Sequence, residues 1–247
     1  MNDNKVVVVT GGTRGVGRVL VQSFQGLGWR VAVLARHRPA DLADSGAVLF
    51  LEANVTQPDT LAGAVARINQ NWGRLDVWIN NAGFGKLIPF DKAGEADWAE
   101  VFNVNFWGVV HGCRLAIAAM LADGKGGSII NIASLAGIHA CPNHSAYATS
   151  KAAVLALTRS LAVEYADRNI RINAIAPGPI DTEGFRASGG DPKKRAQSIP
   201  TRSMVAPQEV AEACLFLTKP LPSVTGHTLI VDGGSAAIGC YAGFPPR

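Results

Sequence analysis

The stretch "KVVVVTGGTRGVG", residues 5–17, decides the fold. Four consecutive valines make an unbroken apolar run, which is what a strand buried on both faces requires. The run ends in a glycine-rich turn, and apolar residues then recur at helical spacing over about 16–27. A strand, a tight turn and a helix in that order place the helix N-terminus at the strand's carboxyl end, with its unpaired N–H groups and positive dipole. That position suits a pyrophosphate. Gly11, Gly15 and Gly17 let the backbone turn and approach an anion without a Cβ in the way, and Thr13, Arg14 and Val16 complete the turn.

Working outward, strand-length apolar runs recur at 30–35 (RVAVLA), 47–53 (AVLFLEA), 75–80 (LDVWIN), 128–133 (SIINIA), 170–176 (IRINAIA) and 228–233 (TLIVDG). Helical patterns lie at about 57–71, 95–121 and 207–218, and another carries Tyr147 to about 166. A further helical region at about 182–200 has no strand after it and reads as an insertion over the top of the sheet. Strands alternating with helices predict an α/β protein. The expected architecture is one Rossmann-type domain over 1–247, with a doubly wound, mostly seven-stranded parallel sheet and helices on both faces. Ligands then sit at the carboxyl ends of the strands. The segment around 183–202, which holds "ASGGDPKKR", is expected to form a lid there.

Composition narrows the function. The balance of 23 basic against 19 acidic residues is only mildly positive, and the cations are dispersed except for Lys193, Lys194 and Arg195. A nucleic-acid surface would be denser, so none is expected. No stretch approaches the ~20 apolar residues of a membrane helix, and the opening valine run is too short for a signal sequence core. Cys113, Cys141, Cys214 and Cys240 show no C-x-x-C spacing and are expected to be reduced and mostly buried. These readings predict a cytoplasmic protein with neither a nucleic-acid nor a membrane partner. His139, Cys141 and His144 crowd one short segment, but no fourth ligand stands at metal-site spacing, and no metal is expected.

One pair of residues suggests chemistry. In "SAYATSK" (145–151), Tyr147 and Lys151 lie one helical turn apart and share a face. An ammonium beside a phenol favours the phenolate and lowers its pKa from about 10.

Six motifs in order resemble the short-chain dehydrogenase/reductase family over almost the whole chain. They are "TGGTRGVG" (10–17), "NNAG" (80–83), Asn105 in "NVNFWG", Ser134 thirteen residues before Tyr147 with Lys151 completing Y-x-x-x-K, "PGPIDT" (177–182) and "VTGHTLIVDGG". One position departs from the family's pattern. Asn54-Val55 stands where Asp-Val, whose Asp contacts adenine, is usual, and a changed contact is expected there.

The resemblance implies a nicotinamide cofactor. It would be held by the glycine turn, Asn54, Val55, Asn81, Ala82, Gly83, Tyr147, Lys151 and, around the nicotinamide, Pro177, Gly178, Ile180 and Thr182. It implies Tyr147 as general acid in reduction and base in oxidation, and Ser134 as donor to the substrate oxygen. Lys151 would bind the nicotinamide ribose and tune the phenol, and Asn105 would hold a water that relays protons. Ser134, Cys141, His144 and Tyr147 would line the substrate pocket.

NAD-using members carry an acid at the end of the second strand. Here Ala35 occupies that position, Arg36 follows, and Arg14 sits in the glycine turn, so NADP(H) is the expected cofactor. His37 and Arg38 add charge or face water. The expected activity is NADPH-dependent carbonyl reduction or secondary-alcohol oxidation on a small ketone or alcohol, in a homotetramer or dimer built on the long helices. An alternative is a 3-oxoacyl-acyl-carrier-protein reductase, which "IPTRSMVAPQEVAEACLFL" (199–217) resembles. Arg168 matches a carrier-docking position of those reductases, while Ser128 replaces their usual arginine. A non-catalytic NADP(H)-binding sensor is a third reading, opposed by the intact Asn105, Ser134, Tyr147 and Lys151.

Overall fold

The fold is given by a computed structural model in which residues 5–238 are described. Cys240 lies outside them. The strands β1 (Val6–Thr10), β2 (Arg30–Ala35), β3 (Val48–Glu52), β4 (Val77–Asn80), β5 (Gly127–Ile132), β6 (Ile170–Pro177) and β7 (Thr228–Val231) form one sheet. Its order is β3-β2-β1-β4-β5-β6-β7, and every pairing is parallel. The strand order reverses between β1 and β4, which opens a crevice above that point.

The valine run of β1 shows why these strands do not alternate. Val6 and Val8 join Ala32, Leu34, Trp78 and Ile129 in the core beneath α2 (Pro58–Trp72), α4 (Gly108–Asp123) and α5 (Ser145–Tyr165). Val7 and Val9 join Val31, Val33, Ile79 and Ile130 beneath α1 (Gly15–Gly26) and α8 (Pro207–Thr218). All four valines are fully buried, each contributing about 1.5 kcal/mol or more of apolar burial.

No helix separates β2 from β3, and the link 36–47 covers the sheet edge by other means. The Arg38 guanidinium lies 4.7 Å from the centre of the Phe50 ring and pairs with Asp44 at 2.7 Å. Asp44 also accepts from the Phe50 amide at 2.7 Å, and Leu42 packs on the same core. Arg38 is therefore committed to roofing the core.

Residues 95–123 form one continuous helical rod: α3 (Glu95–Phe102), a π-helical turn (Asn103–Trp107) and α4. Contrary to the sequence expectation, this rod is long and apolar enough to cross a membrane, with a mean hydropathy of 1.4 over its best window. Alanines such as Ala116, Ala118 and Ala119 raise the average without forming a long apolar run. The rod is a layer of the fold, and α4 packs on β4, β5 and α2.

The 182–200 region is two short helices, α6 (Glu183–Ala187) and α7 (Pro192–Ala196), where one helical region was expected. Gly189, in the left-handed region at φ 83°, ends α6, and the Asp191 carboxylate restarts the chain by accepting from the Lys193 and Lys194 amides. β7 stops at Val231 because the Asp232 carboxylate folds the chain over by accepting from the amides of Gly234 and Ala236.

Candidate active site

The crevice at the carboxyl ends of β1 and β4 is built around the glycine turn. Gly11 and Gly15 have positive φ, 65° and 52°. A Cβ on Gly17 would lie 2.2 Å from the Gly11 carbonyl oxygen, so only glycine lets the helix close on the turn. Asn81 braces that turn from β4: Nδ2 donates to the carbonyls of Thr10 at 2.9 Å and Gly11 at 3.2 Å. Thr10 Oγ1 in turn accepts from the amides of Asn81 and Ala82 at 3.0 and 3.1 Å. Arg14 is the N-cap of α1 and supplies no capping side chain, so the first amides of the helix remain available to an anion. Above Gly15 a Cβ would meet only Thr182 Cγ2, at 3.7 Å. Uncapped amides facing open space suit a dinucleotide's pyrophosphate.

On the other side of β4, α5 brings the remaining candidates together. Lys151 is 4% exposed and donates from Nζ to the Ile132 carbonyl at 2.8 Å. No carboxylate among the described residues pairs with it, and burial pulls its pKa down to about 8. A Cβ on Gly83 would lie 3.3 Å from that Nζ and 3.1 Å from Asn105 Oδ1. Tyr147 is half-buried, with the Lys151 ammonium 5.9 Å from its ring centre. Burial pushes the phenol pKa up, the Ser134 hydroxyl opposes that by hydrogen bonding to it, and the nearby Cys141 adds to it. The expected lowering by Lys151 is not what governs the phenol here. The burial that keeps water away penalises both charged forms, and the ammonium is turned toward a backbone carbonyl.

Ser134 caps a short 3-10 turn, accepting from the Ala136 amide at 3.1 Å. That turn lies directly on α5, since a Cβ on Gly137 would lie 2.8 Å from the Lys151 carbonyl carbon. Gly137 is what lets Ser134 stand beside Tyr147. The sequence reading passed over it, although its only signal was a glycine three residues past Ser134.

Ser150 was also passed over. It is fully buried, donates to the Tyr147 carbonyl at 2.7 Å and accepts from Asn105 Nδ2 at 3.3 Å. The other bonds of the Asn105 amide go to Phe84, to its carbonyl at 2.9 Å and from its amide at 3.0 Å. Both amide protons of the side chain and one lone pair of its oxygen are thus taken up by protein.

The expected pocket residues border Tyr147. The His144 ring meets the Tyr147 ring edge-on at 6.0 Å, and Cys141 is near enough to act on the phenol. Gly178 lies tight against Asp232, Ile180 bridges to Val205, and Thr182 caps α6 through the Phe185 amide. The three described cysteines are free, Cys113 and Cys214 buried and Cys141 half-buried. Among the described residues no group of three or more His, Cys, Asp or Glu side chains is placed to hold a metal.

The family described as Enoyl-(Acyl carrier protein) reductase matches residues 11–236. The chain belongs to the short-chain dehydrogenase/reductase family. Within it, the chain resembles 3-oxoacyl-acyl-carrier-protein reductases. It is 37% identical to 3beta-hydroxysteroid dehydrogenase 1 of Eggerthella lenta, covering 97% of this chain and 95% of that protein. Acetoacetyl-CoA reductase of Synechocystis sp. is 38% identical, covering 94% of this chain and 96% of that protein. The 3-oxoacyl-[acyl-carrier-protein] reductase of Thermotoga maritima is 35% identical, with coverage of 94% and 98%. Among solved structures, ligand-free Thermoplasma acidophilum aldohexose dehydrogenase superposes with a TM-score of 0.90 at 32% identity, covering 99% of this chain and 98% of that chain. ElxO with NADP bound superposes at 0.89 and 28% identity, covering 95% and 100%. This short-chain dehydrogenase/reductase is an oxidoreductase acting on hydroxyl or carbonyl groups with a nicotinamide cofactor.

Proposed function

We propose that this chain is an NADPH-dependent carbonyl reductase, or secondary-alcohol dehydrogenase, acting on a free small-molecule ketone or alcohol. The observation that carries the reading is the buried Lys151, without a carboxylate partner among the described residues, one turn from a half-buried Tyr147 that touches Ser134. The nicotinamide supplies or accepts the hydride. Tyr147 gives the proton to the developing alkoxide, or removes it in the reverse direction. Ser134 donates to the substrate oxygen as charge builds. The Lys151 ammonium, freed from the Ile132 carbonyl, is the group to meet the ribose. Asn105 and Ser150 hold the loop at Phe84 and the first turn of α5 in register.

Preference for the 2′-phosphate is supported by Arg14 and Arg36. Both are exposed, and neither has an ion-pair partner among the described residues. Arg18, by contrast, is paired with Asp41. The solved NADP complex of the related ElxO is consistent with that preference. Residues 183–202 act as the lid. Pairing through the outer face of the long helices, where Trp107 is 47% and Val163 83% exposed, is proposed to give a homotetramer or dimer.

Carrier-bound substrate is the second reading, favoured by the resemblance to 3-oxoacyl-acyl-carrier-protein reductases. Ser128, however, is buried within β5 with its hydroxyl on the Leu217 carbonyl, and Arg168 is held by Asp167. Ser128 thus presents no docking cation and the charge of exposed Arg168 is offset by its neighbour, so the free substrate is preferred. The test is turnover of a panel of ketones, β-keto thioesters and alcohols, by wild type and by Tyr147→Phe. The variant is expected to bind cofactor normally and to lose turnover by roughly 10²–10⁴-fold. Retention of most turnover would remove Tyr147 from the chemistry.

A further inference from the structure

We propose that Asn54 meets the base of the dinucleotide only as a hydrogen-bond donor, so that this chain accepts a hypoxanthine base as readily as adenine. The proposal rests on the dinucleotide reading above, though not on its 2′-phosphate preference.

The topology places the base. Lys151 and Tyr147 fix the nicotinamide half on the β4–β5 side of the glycine turn, and the uncapped end of α1 takes the pyrophosphate. The other half of the molecule then extends across the ends of β2 and β3, where Ala35, Arg36, Asn54 and Val55 lie.

Asn54 is held there from several directions. Its amide donates to Thr60 Oγ1 at 3.0 Å, and its carbonyl accepts from the same hydroxyl at 3.1 Å. In the side chain, Oδ1 accepts from the Thr56 amide at 3.1 Å and the Thr56 hydroxyl at 3.0 Å. A backbone N–H can only donate, so the atom facing Thr56 must be the oxygen, and the orientation of the amide is settled. Nδ2 is left with no protein partner among the described residues. No buried side-chain nitrogen or oxygen among those residues lacks a partner, so Nδ2 is open to solvent.

The next residue repeats the pattern. The Val55 carbonyl accepts from His111 Nδ1 at 3.0 Å, while the Val55 amide has no partner among the described residues. The segment therefore offers two donors and no free acceptor.

Adenine carries ring-nitrogen acceptors and one donor group, the 6-amino. A carboxylate at position 54 would accept from that amino group. Asn54, with its oxygen committed to Thr56, gives it nothing. Replacing the amino group by a carbonyl, as in hypoxanthine, gives Nδ2 an acceptor but puts a proton on N1, so the one unmatched donor moves from the amine to N1 and the two bases balance. Recognition of the base by this segment therefore does not depend on the exocyclic amine.

The test measures binding and not turnover. Dissociation constants of NADP⁺, NAD⁺ and the hypoxanthine analogue of each are obtained by calorimetry for wild type and Asn54→Asp. Wild type is expected to bind the adenine and hypoxanthine forms within about threefold of each other, in whichever phosphate series it prefers. Asn54→Asp keeps an oxygen for Thr56, presents a second one to the base, and should favour adenine by about tenfold or more. A wild-type preference for adenine of tenfold or more overturns the proposal, as does an Asn54→Asp variant with an unchanged base ratio. If that variant does not fold, the wild-type ratio decides alone. The phosphate ratio is read separately from the base ratio, so failure of the NADP preference leaves this result standing. Absence of binding by all four would instead remove the dinucleotide reading, and this proposal with it.

Discussion

Asn105 and Phe84 hold each other through both ends of one amide: Nδ2 donates to the Phe84 carbonyl at 2.9 Å, and Oδ1 accepts from the Phe84 N–H at 3.0 Å. The clamp joins the π-helical turn to the loop that leaves β4. That loop carries Gly83 against the Lys151 ammonium and Gly85 against the Tyr147 ring. A side chain this committed positions the loop.

Truncation of the clamp is expected to be felt in two measurements. Asn105→Ala leaves two backbone groups of a partly buried loop without partners, which costs about 1–3 kcal/mol of stability. Turnover should fall with it, because the loop sets the space around Lys151 and Tyr147. Urea denaturation and steady-state kinetics check this. Wild-type stability in the variant would show that water replaces the amide without cost.

Lys151 is expected to be a stability liability. Its drop from 10.5 to about 8 corresponds to roughly 3 kcal/mol of charge burial at neutral pH. The folded state releases the proton near pH 8 and the unfolded state only near 10.5, so this group makes stability rise with pH across that window. Lys151→Met should therefore melt higher than wild type at pH 7, and the gap should shrink as pH approaches 10.5. The same variant should bind nicotinamide cofactor more weakly. A variant that melts lower than wild type at pH 7 would contradict the burial argument.

Cofactor choice is expected to turn on the end of β2. Ala35→Asp combined with Arg36→Ile installs an acid for the ribose hydroxyls and removes a phosphate cation. Wild type should favour NADPH over NADH by at least about tenfold in kcat/KM, or about 1.4 kcal/mol. The double variant should reverse the order. Equal use of both cofactors by wild type would show that Arg14 and Arg36 do not read the phosphate.

The lid prediction is read by hydrogen exchange. α6 and α7 bury no residue fully and are joined by Gly189 and Gly190. Amides over 183–198 should exchange quickly without ligand and slow when cofactor and substrate bind. Slow exchange that ignores ligands would mean a fixed wall.

Local pattern was enough to read seven strands, the glycine turn and the Tyr147–Lys151 face. A strand buried on both sides must be apolar throughout, a turn that approaches an anion must lack Cβ atoms, and residues one turn apart must share a helix face. Those demands fall on neighbouring residues, so the sequence by itself determined them. Contacts between distant segments decided the rest. Arg38 could have read a phosphate by charge alone, but the missing helix between β2 and β3 leaves Phe50 uncovered, and Arg38 covers it. Tyr147 was expected to be acidified by Lys151, yet burial dominates both groups and sets Lys151 on the Ile132 carbonyl. Asn105 was expected to hold a water, and only the fold shows that its side-chain amide also clamps Phe84 and meets Ser150. Burial and hydrogen-bond satisfaction depend on what the fold packs around a side chain, and neighbours in sequence do not reveal that.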